Sequence, residues 1–92
     1  MKFMVTWRTR PGFYNVAVQK FLKTGGNPPT GLKTVGRWHV PDSILGWHLL
    51  EGDDPTAVAE HVAEWADMIE LEVNPVIEDT AAAEAASRVV GK

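Results

Sequence analysis

Apolar and polar side chains alternate at the start of the chain. In KFMVTW, residues 2–7, Phe3, Val5 and Trp7 are interleaved with Lys2, Met4 and Thr6. This period of two predicts a first strand with one strongly apolar face. After RTRPG the period lengthens: Tyr14, Ala17, Val18, Phe21 and Leu22 recur at three- and four-residue intervals, with Lys20 and Lys23 toward the end. That spacing predicts an amphipathic helix stopped near Gly25. GGNPPTG, residues 25–31, is a connection, because adjacent prolines lack amide donors and glycines tolerate turn geometry. It lacks the Gly-Lys-Ser/Thr ending of a phosphate loop.

LKTVGRWHV (32–40) and ILGWHLLE (44–51) predict two strands that reverse through PDS. DDPTAVAEHVAEWADM (53–68) predicts a second helix, with Asp54 as its cap and Pro55 at its first position. Val58, His61, Val62 and Trp65 share one side of it, and Glu60 and Glu64 form a polar edge. IELEVNPVIE (69–78) returns to alternation, and Pro75 assigns this strand to a sheet edge. DTAAAEAASRVVGK (79–92) predicts an alanine-rich terminal helix suited to cap an interface. The order strand, helix, strand, strand, helix, strand predicts an α+β, ferredoxin-like βαββαβ domain over residues 1–92, with an additional C-terminal helix.

Composition narrows the function classes. A chain of 92 residues suits one domain with a small core, for which an oligomer partner is a common aid. Twelve acidic and nine basic residues give a net charge of -3 and no dense basic stripe, which argues against nucleic acid. The absence of cysteine excludes disulfides, thiolate catalysis and cysteine-bound zinc. No apolar run reaches membrane-spanning length and the N-terminus lacks a secretory pattern, so the expectation is a soluble cytoplasmic protein without membrane attachment. No motif calls for a cofactor.

Strand parity sorts the remaining residues onto two faces. Phe3, Val5, Trp7, Leu32, Trp38, Leu45, Trp47, Leu49, Ile69, Leu71, Val73 and Ile77 form the set expected beneath the helices. Met4, Thr6, Val35, Arg37, His39, Ile44, His48, Leu50, Glu72, Asn74 and Val76 form the other set, too apolar for a plain solvent face and too polar for a sealed core. A homodimer whose sheets face each other across a mixed polar cleft satisfies that second set.

Four stretches also carry a family resemblance: MKFMVTWRTRPG at the start, GRWH at 36–39, GWHLLEGDDP at 46–55 and EWADMIELEVNPVIED at 64–79. Together they resemble the bacterial domain-of-unknown-function family numbered 3303, over nearly the whole chain. The resemblance implies a dimeric alpha-beta barrel, a ferredoxin-like group in which two sheets meet across a dimer interface. That group contains small monooxygenases, isomerases, haem enzymes and stress-associated proteins, so fold does not select a reaction. Trp7, Arg8, Trp38, His39 and Trp65 match the family pattern, and no catalytic role is carried over to them.

The candidate ligand-binding set is Thr6, Arg37, His39, His48, Glu72 and Asn74, which parity directs toward one cleft. Arg37 suits a carboxylate or enolate oxygen, His48 suits acid/base work near neutral pH, and Thr6 and Asn74 suit an uncharged polar group. A compact 40–43 loop pairs His39 with Ile44 and His48 with Val35, roughly 13 Å apart at ~3.3 Å per residue. One zinc ion, with contacts near ~2.0 Å, does not bridge that distance, and no metal site is expected. HVAEW around His61 lacks the second histidine of the helical zinc motif. The resulting expectation is a small homodimeric protein that binds a small molecule or a protein partner. The alternative is a cofactor-independent isomerase or monooxygenase acting on a small, partly apolar substrate, with His48 and Arg37 as its catalytic pair.

Overall fold

Strand β1 (Lys2–Thr9) is the strand around which the domain is laid down. In the computed structural model, which describes residues 1–90, β1 pairs antiparallel with β3 (Leu45–Glu51) on one side and β4 (Ile69–Val76) on the other. Strand β2 (Lys33–His39) extends the sheet beyond β3, giving the order β2-β3-β1-β4. Helix α1 (Tyr14–Thr24) connects β1 to β2, α2 (Pro55–Trp65) connects β3 to β4, and α3 (Asp79–Val90) follows β4. Gly91 and Lys92, the end of the predicted terminal helix, lie outside the described residues.

This arrangement resembles the core of a ferredoxin-like fold, but the expected barrel is overturned. The sheet is open, with β2 and β4 as its two edges and no pairing between them. Four strands are too few to curl into a closed ring with a packed interior, which takes about eight. Pro75 sits on edge strand β4 opposite Phe3, where a missing donor can face away from the ladder.

Local chemistry explains where the helices begin and end. The Asp54 side chain accepts from the Thr56 amide at 2.9 Å and Pro55 occupies the first turn of α2, a cap that contributes about 1 kcal/mol. Gly25, at φ 71°, closes α1 in the left-handed conformation and returns its amide to the Phe21 carbonyl at 2.7 Å.

The register reverses part of the predicted face assignment. Residues directly opposite in an antiparallel pair share a face. Val5 stands opposite both His48 and Val73, and His48 stands opposite Arg37. Arg37, His39, His48 and Leu50 therefore lie with Phe3, Val5 and Trp7 beneath the helices. Thr6 stands opposite Trp47 and Glu72, and Trp47 opposite Trp38, so the two tryptophans occupy the uncovered face. The ladder also slips between Thr34 and Gly36, leaving Val35 as an extra residue. One inserted residue inverts in-out parity along the strand, which strict alternation could not follow.

The core beneath the helices is small. Leu50 and Val5 are its most deeply buried large side chains, joined by Phe3, Val58, Trp65, Met68 and Ile69. Each large member stabilises the fold by roughly 1.5–3 kcal/mol before ordering costs. Helix α2 buries Ala57, Val58, His61 and Trp65, whereas α1 buries only Ala17 and α3 buries nothing. Helix α1 therefore stands over the sheet without sealing onto it.

Candidate functional site

Between α1, α2 and the sheet lies a cavity of about 270 Å³. Trp7, Phe21 and Trp65 supply aromatic wall, and Val5 and Ile69 aliphatic floor. Trp7 can lie flat on the sheet because its cross-strand neighbour is Gly46, where a side-chain Cβ would fall 2.1 Å from the indole. The His39 ring meets the rings of Trp7 and Phe21 edge to face, with centroids 5.2 and 5.5 Å apart.

Arg37 organises the polar end. Its Nη1 donates to the Gly25 carbonyl at 3.0 Å and its Nη2 to the Gly26 carbonyl at 2.6 Å, so β2 holds the C-terminal turn of α1. The guanidinium also lies 5.4 Å from the Phe21 ring centroid. A Cβ on Gly26 would meet Nη1 at 2.9 Å, and the residue's φ of 61° independently favours glycine. Burial draws the Arg37 pKa below its ordinary value, although a guanidinium stays charged at neutral pH. Among the described residues it makes no ion pair.

His48 is 3% exposed and faces Arg37 across the β2–β3 pair. Its Nε2 lies 3.2 Å from Arg37 Nη2 and 2.8 Å from Thr34 Oγ1. Since a guanidinium only donates, Nε2 is the acceptor and the ring proton resides on Nδ1. Burial, and then the charge of Arg37 with smaller contributions from His61 and His39, push the His48 pKa down to about 3. His61 on α2 reaches His48 ring to ring, with centroids 5.3 Å apart at 70°. It too is buried, its pKa is lowered chiefly by desolvation, and its Nδ1 has no partner among the described residues. A buried unsatisfied donor or acceptor costs roughly 1–3 kcal/mol.

The predicted ligand set is thus divided by the sheet. Arg37, His39 and His48 line the cavity beneath the helices. Thr6, Glu72 and Asn74 lie on the other face, where Asn74 Nδ2 donates to Glu72 at 3.4 Å. The cleft between facing sheets that was expected to hold all six is replaced by this intramolecular cavity. The two strand histidines are also closer than expected. His39 stands opposite Gly46, not Ile44, making it a diagonal neighbour of His48, a relation that spans roughly 7–8 Å. No three His, Asp or Glu side chains are grouped to hold a metal ion among the described residues.

The family described as Domain of unknown function (DUF3303) matches residues 1–90. The chain belongs to that family. No protein of curated description matches it. Chemistry in this DUF3303 chain must accordingly be read from the cavity itself.

Sequence reasoning undervalued two contributors. His61 was visible as a member of the α2 packing side, and once that side is laid on the sheet its imidazole falls over β3. Thr34 gave no signal, since only the Val35 bulge turns it toward His48.

Proposed function

We propose that the protein binds a small, partly apolar molecule in the cavity between the helices and the sheet. The observation that carries this reading is the cavity's construction: apolar and aromatic walls converge on one polar cluster, Arg37 with His48 and His61. Binding is favoured over proton transfer. The His48 Nε2 lone pair is engaged by Arg37 and Thr34, and an imidazole with pKa of about 3 is a weak base at neutral pH. A panel of neutral, anionic and cationic one- and two-ring compounds tests the reading by thermal shift. At ten times its Kd a ligand adds about 1.4 kcal/mol of stability. Val18→Trp, which enlarges a side chain at the cavity wall, abolishes the shift. A panel that leaves Tm unchanged throughout removes the proposal.

We further propose that the chain works as a homodimer. Its accessible surface is 6263 Å², against ~5300 Å² expected for a folded monomer of this mass. The surplus, roughly 1000 Å², compares with the ~800 Å² that each partner buries in a standard interface. Two features contribute to it. Trp38, 55% exposed, and Trp47, 37% exposed, stand on the uncovered sheet face. Helix α3 has no buried residue, and twelve-residue helices are marginal in water without packing. Sedimentation at micromolar concentration is expected to give twice the 10.1 kDa chain mass, and Trp38→Glu to shift it to the monomer. A wild-type mass of one chain at every concentration excludes the dimer.

A further inference from the structure

We infer that the ligand of the cavity is a small organic anion with an aromatic body. The inference rests on the binding reading above and adds the charge and shape of what is bound. The protein as a whole is acidic, with twelve Asp and Glu side chains and a net charge of -3. None of the twelve lines the cavity, while Arg37 and three histidines do. The interior of an acidic protein thus carries a locally positive site.

That positive charge is only partly answered from within. The carbonyls of Gly25 and Gly26 lie at the C-terminus of α1, where the helix dipole amounts to about half a negative charge. His48 and His61, held neutral by their burial, add no counter-charge. Of the five N–H groups of a guanidinium, three are engaged, one by each glycine carbonyl and one by His48, which leaves two for a ligand. Low-dielectric walls concentrate the field of an unpaired cation, so a carboxylate or enolate oxygen gains more there than at the surface.

The walls select the rest of the molecule. Trp7, Phe21 and Trp65 present ring faces and edges, and His39 already meets two of them edge to face. A planar aromatic body continues that pattern of contacts, whereas a sugar or polyphosphate would leave many polar groups unmatched against apolar walls.

Three probes of matched shape test the inference by calorimetry on the full chain: 2-naphthoate, neutral 2-naphthamide and cationic 2-naphthylmethylammonium. The acid is expected to bind at least about tenfold more tightly than the amide, and the ammonium most weakly, a difference of about 1.4 kcal/mol or more. Arg37→Met is expected to erase the preference for the acid over the amide, and Arg37→Lys to retain part of it. If Arg37→Met fails to fold by circular dichroism, the wild-type ranking and the lysine variant still decide. Equal or tighter binding of the amide or the ammonium overturns the anionic ligand and leaves the binding cavity standing. Saturable binding by none of the three overturns both.

Discussion

As pH falls from 6.5 toward 5, the folded protein loses stability. The cause is His48, whose pKa in the folded state is about 3, against an ordinary 6.5. Below pH 6.5 the unfolded chain takes up a proton that the folded chain refuses, so the unfolded state gains with each step down in pH. The stability tied to the neutral ring is complete above pH 6.5 and is lost as pH falls toward 3. One wholly neutral imidazole would give a slope of about 1.4 kcal/mol per pH unit. The step to about pH 5 therefore costs about 2 kcal/mol for His48. His61 is shifted in the same direction and steepens the loss. His48→Gln, whose amide oxygen can accept from Arg37 in place of Nε2, is expected to flatten the profile. Urea denaturation across this range measures it, and a wild-type stability identical at both ends contradicts the buried neutral pair.

Much of the architecture was legible because each element carries its own local signal. The alternation of Phe3, Val5 and Trp7 marks β1, the three- and four-residue spacing from Tyr14 to Leu22 marks α1, and Asp54-Pro55 marks the start of α2. Pro75 correctly signals an edge, since a missing donor has the same consequence in any sheet. Closure into a barrel is different in kind. It depends on how many strands join a ring, and the edges β2 and β4 of this sheet remain apart.

The face assignment failed for a physical reason that can be located. Strand β3 is apolar on both sides, with Trp47 and Leu49 on one and Leu50 on the other, so hydrophobicity does not choose between its two registers. The choice is made by pairing with β1, 49 residues away at the Lys2–Glu51 end, and by the Val35 bulge in β2. Both are long-range or irregular, and neither leaves a periodic trace. The consequence is that Arg37, His39 and His48 were grouped correctly with one another but separated from Val5, Trp7 and His61, the residues that turn them into a cavity wall.

Gly46→Ala is expected to be among the most damaging single-methyl substitutions in the protein, and comparison with Gly36→Ala shows why. An alanine Cβ at position 46 would lie 2.1 Å from Trp7 Cζ2 and 2.7 Å from the Trp38 carbonyl oxygen. The carbonyl belongs to the β2–β3 ladder and cannot swing aside, while the indole can move only toward the cavity. Overpacking of this kind typically costs about 1–3 kcal/mol, and the backbone contact places Gly46→Ala near the upper end. For a domain of this size, about 3 kcal/mol lowers Tm by roughly 12–24 °C. At position 36 the nearest atoms to the new methyl would all belong to the Trp38 ring, the closest at 2.5 Å, a half-exposed side chain on the uncovered face that can give way more readily than a ladder carbonyl. Gly36→Ala should therefore cost about 1 kcal/mol or less. The displaced Trp7 also gives up its edge contact with His39, so Gly46→Ala should weaken binding of aromatic probes while Gly36→Ala spares it. Calorimetric melting and probe titration of the two variants side by side check both effects. Equal melting temperatures would mean that Gly46 does not set the floor on which the Trp7 wall rests.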